Sequence, residues 1–504
     1  MPAAPLPGRG VLAAVDLGSN SFRLLIGRIE RSPPGERVIA LDSVKQTVRL
    51  ASGLRDDGSL DAASRQRGLA ALSIFGERLR AYAPDAVRAV ATNTLRVASN
   101  AAQFLASAEA ALGFPIEVVS GLEEARLIYL GAAHELPRDG VPRLVVDIGG
   151  GSTECVAGTD LRAHALESAP VGCVVLSMGH FPDGRVGRET FERAYYDARS
   201  TFAQVAEPFA RRRWRYAVGT SGTARALWQV AQAQWDAAAL DRDSLARMHA
   251  ALVSAGHVDA VRLAGLRPDR RPVLAGGLAV MMAAFDALQI DSMRYCSGAL
   301  RHGVLHDLVG RGEGHDTRAI TVGQMLARYG IDRRHAQRVR ATALALFDQG
   351  ARGTHEVLQA RRTVLGWAAE LAEVGRSISH EDAHRHSAWI LGQTNMPGFS
   401  RDEQAALATL ALAQSGSLRR LRGLIADDLG WLEVVALRVA TILHRGRGAQ
   451  PVPMPALFLQ RRSLRLEMPR EWARHFPLAH ESLAGEAATW SKARVFGKFV
   501  YETR

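Results

Sequence analysis

The chain has 504 residues, 47% hydrophobic and 23% charged, a globular composition that excludes a largely disordered or fibrous protein and implies about three to four domains of roughly 150 residues each. Its three cysteines (Cys155, Cys173, Cys296) are too few for a disulfide framework and include no CxxC pair for zinc, which points to a reducing, cytoplasmic compartment. The net charge of +12 is uneven, +3 over residues 1–310 and +9 over residues 311–504; a polyanionic partner accounts for the excess, and so does the solubility of an Arg-rich chain.

The opening MPAAPLPGRG lacks a charged segment followed by an apolar run, so it does not read as a secretory signal. No apolar run approaches the roughly 20 residues of a membrane helix. A membrane partner is therefore not expected, nor is a nucleic acid. Residues 11–30 predict an apolar strand (VLAAVDL), a tight turn (GSNS) and a second strand (FRLLIGRI), a hairpin. Helical periodicity follows over 61–82, a strand over 86–92, an Ala-rich helix over 99–112 and a short strand over 116–120. A helix opens at Gly121. The pattern then restarts: RLVVDIGGGSTECVAG (143–158) is again strand, turn and strand. A helix is predicted over 188–211, strand into turn over 214–222 and a helix from 223. Residues 271–288 read as strand, glycine turn and helix, and 293–309 as strand, turn and helix. The repeat predicts an internally duplicated α/β architecture with a cleft between its halves. From about 315 the strand signals vanish. Residues 319–445 read as successive amphipathic helices, and after the PVPMP breaker (451–455) come two strands, a helix over 480–493 and a final strand. The expected domains are 1–138, 139–312, 313–446 and 447–504, the last a small α+β appendage.

Four turns carry candidate chemistry. In DLGSNS the backbone of Gly18, Ser19, Asn20 and Ser21 can converge on an anion, with side-chain donors added. Asp16, at the end of an apolar strand, suits a metal or a metal-bound water. Taken alone, this is also an ordinary hairpin turn. In DIGGGSTE, Gly149, Gly150 and Gly151 leave the backbone unobstructed, and Ser152 and Thr153 add hydroxyls. Asp147 and Glu154 flank that turn on two strands, so their carboxylates can face one volume, a hard-oxygen set for Mg²⁺. In VGTSGT, Thr220 and Ser221 open a helix, either as caps or beside a bound anion. Glu123 and Glu124 open another helix, as dipole-stabilised residues or as a general base, with Arg126 in position to anchor them. Arg23 and Arg96 are candidates for a phosphate clamp.

The ordered segments VDLGSNSFRLLI, ATNTLR, VVSGLEEARLIYLG, LVVDIGGGSTE and VGTSGT resemble the exopolyphosphatase / guanosine-pentaphosphate phosphatase family, strongly over residues 11–310 and more weakly through residues 384–404. The resemblance implies two actin-like, ribonuclease-H-like lobes with a phosphate chain in the cleft. It implies that Glu124 activates water, that Asp147 and Glu154 hold Mg²⁺ or another divalent cation, and that the turns Gly18–Ser21 and Gly149–Ser152 cradle terminal phosphates. Arg96 would contact those phosphates, and Thr220 and Ser221 form a third turn near them. The helical region resembles the HD-type module of longer members, but Ala372–Glu373 stands where the family has His–Glu. His335, His380, His384 and His386 remain, and no metal hydrolase site is expected there. Its expected role is a basic channel and a homodimer interface.

Three readings follow. Processive exopolyphosphatase ranks first, because a long polyanion needs a basic track beyond the active site. Guanosine-pentaphosphate 5′-phosphohydrolase shares the site motifs. A non-catalytic polyphosphate-binding regulator is disfavoured by the intact Glu124, Asp147 and Glu154.

Overall fold

The computed structural model describes residues 10–32, 35–312, 316–447, 452–460, 463–496 and 498–504. The N-terminal segment read as no secretory signal lies outside these apart from Gly10, as does Pro451 of the breaker. Residues 313–315, at the expected junction after 312, are outside them too. Contacts divide the chain into two units, Met1–Thr317 and Arg318–Arg504. No helix among the described residues is long and apolar enough to cross a membrane.

The first unit contains two sheets of matching topology. The chain begins with β1 (Val11–Leu17), β2 (Ser21–Ser32), β3 (Gly35–Thr47), α1 (Ala62–Tyr82), β4 (Ala86–Ala91), α2 (Asn93–Val97), α3 (Ala101–Leu112), β5 (Ile116–Val118) and α4 (Gly121–Glu135). The first sheet has the order β3-β2-β1-β4-β5, antiparallel on one side of β1 and parallel on the other. β1 is apolar on both faces because it lies in the middle of the sheet.

The chain continues with β6 (Arg143–Ile148), β7 (Thr153–Thr159), β8 (Arg162–Ala169), α5 (Cys173–His180), α6 (Arg188–Ala203), β9 (Tyr216–Gly219), α7 (Ser221–Trp235), β10 (Leu240–Asp241), α8 (Arg242–Ala255), α9 (Leu274–Ala287), β11 (Ser292–Tyr295) and α10 (Leu300–Gly312). The second sheet has the order β10-β11-β9-β6-β7-β8, so β8-β7-β6-β9-β11 repeats the first sheet strand for strand and β10 is an added edge. This is the duplicated actin-like α/β architecture.

One prediction fails here. Residues 271–288 contain no strand: a 3-10 turn over Pro268–Val273 leads straight into α9. The apolar run is buried all round, as a core helix is, and carries no strand alternation. Its glycines are packing sites, not a turn. A Cβ on Gly276 would stand 2.6 Å from the Ser177 amide nitrogen, and one on Gly277 2.8 Å from Thr223 Cγ2. The helix predicted over 188–211 ends at Ala203, with 3-10 turns beyond it. Strands β3 and β8 were not read from the sequence.

Two helices exchange lobes. α4 follows the first sheet but packs along β7 and β8, whereas α10 follows the second and packs along β1 and β2. They meet at glycines. A Cβ on Gly303 would lie 1.7 Å from the Leu127 carbonyl oxygen, and one on Gly131 2.3 Å from that of Ala299. A buried ion network reinforces the pair. Arg88 Nη1 donates to Asp307 Oδ2 (2.7 Å) and its Nε to Glu117 (3.1 Å); Arg126 donates to Glu123 (2.7 Å) and Asp307 (2.6 Å).

The second unit contains α11 (Thr317–Arg328), α12 (Arg333–Gly350), α13 (His355–Leu371), α14 (Ala383–Gln393), α15 (Arg401–Ala413), α16 (Asp428–Leu443), β12 (Ala456–Gln460), β13 (Ser463–Met468), α17 (Arg470–His475), α18 (Pro477–Ala493) and β14 (Lys498–Thr503). The helices and the three-stranded sheet contribute to one apolar core, in which Leu432, Leu437, Leu464 and Trp490 are buried.

The α4–α10 contact is backbone on backbone and cannot relax by a rotamer change. Gly303→Ala is expected to cost about 1–3 kcal/mol by overpacking. Gly179→Ala, where a Cβ meets nothing within 4 Å, should be neutral or slightly stabilising. Denaturant unfolding of both variants checks this, and equal midpoints would remove the close helix contact from the account.

Candidate functional site

The polar cleft between the two sheets gathers most of the predicted residues. Asp16, Gly18, Ser19, Asn20, Ser21, Arg23, Glu124, Asp147, Gly149, Gly150, Ser152 and Ser221 line it. The duplication explains why. Asp16 and Arg23 are register partners across the first hairpin, and Asp147 and Glu154 are partners at the same place in the second. Each hairpin thus projects two functional side chains from the mouths of central strands.

Glu154, Thr220, Gly151 and Arg96 stand behind the lining. Glu154 is buried and accepts a 2.9 Å hydrogen bond from Ser168 Oγ. Thr220 donates to Asp147 Oδ2 at 2.5 Å, so its hydroxyl orients a carboxylate and does not cap α7. The Ser221 hydroxyl instead accepts the Ala224 N–H at 3.3 Å, with Ser221 itself in the left-handed region at φ +75°. Arg96 Nη1 donates to Glu124 Oε2 (3.2 Å) and to the Val119 carbonyl (3.0 Å).

The structure separates the two glutamates that the local pattern leaves equivalent and that only the family resemblance tells apart. Glu123 faces the buried network and binds Arg126. Glu124 faces the cleft beside Arg96. Arg126, on the same helix as Glu123, ties α4 to α10 through Asp307. The triple-glycine turn also has a packing reason. A Cβ on Gly150 would stand 2.9 Å from Ser19 Cβ, and one on Gly151 2.1 Å from Asn93 Nδ2. These glycines let the turns of the two lobes touch.

Five cationic residues that the sequence did not single out also line the cleft: Lys45, Arg225, Arg267, Arg270 and Arg301. Their signal was weak, since isolated arginines in turns look like solvated surface. Lys45, on edge strand β3, reaches Asp269 Oδ2 of the other lobe at 3.1 Å. A Cβ on Gly222 would fall 1.9 Å from Arg270 Nη2, so a guanidinium sits at the positive end of α7. Burial and the charges of Arg23 and Arg267 depress the Arg270 pKa, while burial and Arg23 depress that of Arg301. Arg301 Nε has no hydrogen-bond partner among the described residues. This cationic wall is arranged for an anion.

Carboxylates stand beside these cations, and the charges of Arg23 and Arg301 act on both Asp16 and Asp147. Burial pushes Asp16 and Asp147 up to about 6. Burial, then the charge of Asp147, pushes Glu154 up to about 7. Glu124 is raised well above the ordinary carboxylate range by burial and by Glu154, with Arg96 opposing. No three His, Cys, Asp or Glu side chains converge as a ready cation cage among the described residues. Asp16 Oδ1 is nevertheless buried and unpartnered, and Asp147 lies across the cleft mouth from it. That donor set fits Mg²⁺, which binds through one or two carboxylates and completes its shell with water and substrate phosphates. In the second unit, His335 is buried with Nε2 3.6 Å from Glu373 Oε1.

Fold and cleft together define a two-lobed α/β protein built around a charged cleft. The chain belongs to the Ppx/GppA phosphatase family, whose members are hydrolases of phosphoanhydride bonds: the family model matches residues 29–311, and that of its domain III residues 317–487. A guanosine-5′-triphosphate,3′-diphosphate pyrophosphatase of Aeromonas hydrophila is 35% identical over 91% of this chain and 92% of its own length, and one of Aeromonas salmonicida matches equally. The crystal structure of an exopolyphosphatase-like protein superposes with a TM-score of 0.53 at 25% identity, over 60% of this chain and 99% of that one. An exopolyphosphatase from Cytophaga hutchinsonii shares the fold at 22% identity and a TM-score of 0.52, over 60% of this chain and 98% of that one.

The raised carboxylate pKa values have a defined sign. A folded-state pKa above the unfolded one means that ionising the group costs stability, and the cost grows as pH rises through the folded value. In EDTA, Glu154→Gln should therefore gain stability over the parent on going from pH 5 to pH 8, by on the order of 3 kcal/mol at full ionisation. Thermal melts of both proteins at the two pH values test this; a difference that does not change with pH would contradict the buried-charge account.

Proposed function

We propose that this chain removes the terminal phosphoryl group from a chain of phosphoanhydrides by direct attack of water, with guanosine 5′-triphosphate 3′-diphosphate as the preferred substrate. The observation that carries the chemistry is one cleft that gathers buried carboxylates (Asp16, Glu124 and Asp147, with Glu154 behind them) beside cationic side chains (Arg23, Arg270, Arg301, Lys45). Phosphates belong against the cationic side chains and an attacking water against the carboxylates.

In this reading the turns at Gly18–Ser21 and Gly149–Ser152 and the start of α7 hold the terminal phosphates through backbone N–H groups. The arginines offset the negative charge that builds on the transferring and leaving oxygens. Glu124 accepts a proton from water as its oxygen attacks the terminal phosphorus. The bond to the bridging oxygen breaks and the shortened chain leaves as a phosphate anion. Arg96 keeps the Glu124 carboxylate aimed at the cleft. Asp147, Glu154 and Asp16 would hold Mg²⁺, which when bound screens phosphate charge and orders water. Thr220 fixes Asp147 in this arrangement.

The nucleotide is placed first because the Aeromonas relatives named for it match nine-tenths of this chain, through the second unit as well as the first. That reverses the order reached from sequence, where polyphosphate came first. The polyphosphate reading keeps one specific support, the +9 charge excess of residues 311–504. A cytoplasmic location would suit either substrate, and a homodimer is a further proposal for the second unit.

Two measurements test this reading. Phosphate release with Mg²⁺ from guanosine pentaphosphate and from long polyphosphate, run in parallel, should give the higher kcat/KM on the nucleotide. Preference for polyphosphate would restore the sequence order. Glu124→Gln should lower kcat by about 10²–10⁴-fold, the usual contribution of a general base, while substrate still binds. Near-parent turnover would remove Glu124 from its role.

A further inference from the structure

We propose that Ser168 is a positioning residue for the reaction, setting the Glu154 carboxylate and the helix that carries Glu124 in one geometry. The inference rests on the proposed metal-holding role of Glu154.

Ser168 lies on β8, next to the acidic wall but not among the residues that line the cleft. It is the direct register partner of Glu154 across the β7–β8 ladder. Its Oγ donates to Glu154 Oε1 at 2.9 Å. A serine hydroxyl has one hydrogen, so this bond uses its whole donor capacity. Glu154 is 1% exposed, so its rotamer depends on protein donors, and Ser168 holds one of its two oxygens.

The same side chain braces the neighbouring element. A Cβ on Gly121 would stand 2.6 Å from Ser168 Cβ and 2.7 Å from its Oγ. Gly121 is the first residue of α4, three positions before Glu124. The strand that orients Glu154 is thus in contact with the start of the helix that presents Glu124. Arg96, which bonds Glu124, approaches the same spot, with Nη2 3.6 Å from that Cβ position. A small hydroxyl residue satisfies both demands: alanine loses the donor, and a bulky residue displaces α4. Partners that orient a ligating carboxylate commonly matter about as much as the ligand itself, at about 10–100-fold in metal affinity or activity.

The test uses the full-length chain and Ser168→Ala. Mn²⁺ binding without substrate is followed by electron paramagnetic resonance, beside kcat and KM for guanosine pentaphosphate and thermal melts. We expect a parent-like melt, Mn²⁺ affinity reduced by about 10–100-fold, a matching fall in kcat at limiting metal, and an unchanged KM. A merely structural role would not divide kcat from KM in this way. If the alanine variant does not fold, Ser168→Cys, which keeps the volume and loses the strong donor, decides by the same titration. A folded variant with parent-like Mn²⁺ affinity and kcat overturns the proposal while leaving the hydrolase reading intact. A parent that hydrolyses substrate yet binds no Mn²⁺ overturns the metal role of Glu154, and this inference with it.

Discussion

The crossing of α4 and α10 is the constraint on which the catalytic unit depends. Each helix leaves one sheet and packs on the other, and they touch backbone to backbone at Gly131 and Gly303. The N-terminus of α4 carries Glu124, and that of α10 carries Arg301. One contact therefore sets the distance between a member of the acidic wall and a member of the cationic one. The network of Arg88, Glu123, Arg126 and Asp307 fixes the register of that contact. Losing one partner of such a network leaves a buried charge unpaired, which costs far more than the pair contributes.

The cleft itself is arranged against stability. Burial pushes four carboxylates toward protonation, with neighbouring carboxylates adding to it at Asp16, Glu124 and Glu154, and a guanidinium faces the positive end of a helix. Neither arrangement lowers the energy of the empty fold. Both make sense once phosphate oxygens and a cation are present, since each wall then gains the opposite charge. This is the physical meaning of the depressed arginine and raised carboxylate pKa values: the site is prepared for charge that the ligand supplies.

How much of this was legible in the sequence follows from range. The hairpins at Asp16 and Asp147 could be read because strand, turn and strand are adjacent, and their repetition announced the duplication. Local pattern alone could not tell Glu123 from Glu124, and the choice of Glu124 came from the family resemblance, because their difference lies in Arg88, Arg96 and Asp307, which approach from distant segments. Arg270 and Arg301 were missed for the same reason: what distinguishes them from surface arginines is burial, which no local pattern records. The strand read at the start of 271–288 failed where an apolar run without alternation serves a buried helix equally well. The glycines of the second turn were read as leaving room for phosphate, whereas the structure gives them a packing reason, since Gly150 and Gly151 admit the facing lobe.

The duplication also bears on how such a site becomes asymmetric. Two hairpins of the same length, DLGSNSFR and DIGGGSTE, place their first and last residues as register partners at the same point of equivalent sheets. Both keep the leading aspartate. At the closing position one carries Arg23 and the other Glu154. A symmetric pair of hairpins would give either four carboxylates, which repel phosphate, or two arginines and only the two leading aspartates to place a cation and water. Arg23 on one side and Glu154 on the other resolve that conflict with one changed charge per lobe. The support around each then differs accordingly: Glu154 is held by a hydroxyl from the adjoining strand, whereas Arg23 remains open to the cleft. Divergence at a single register position thus turns a repeated fold into a cleft that carries both charges.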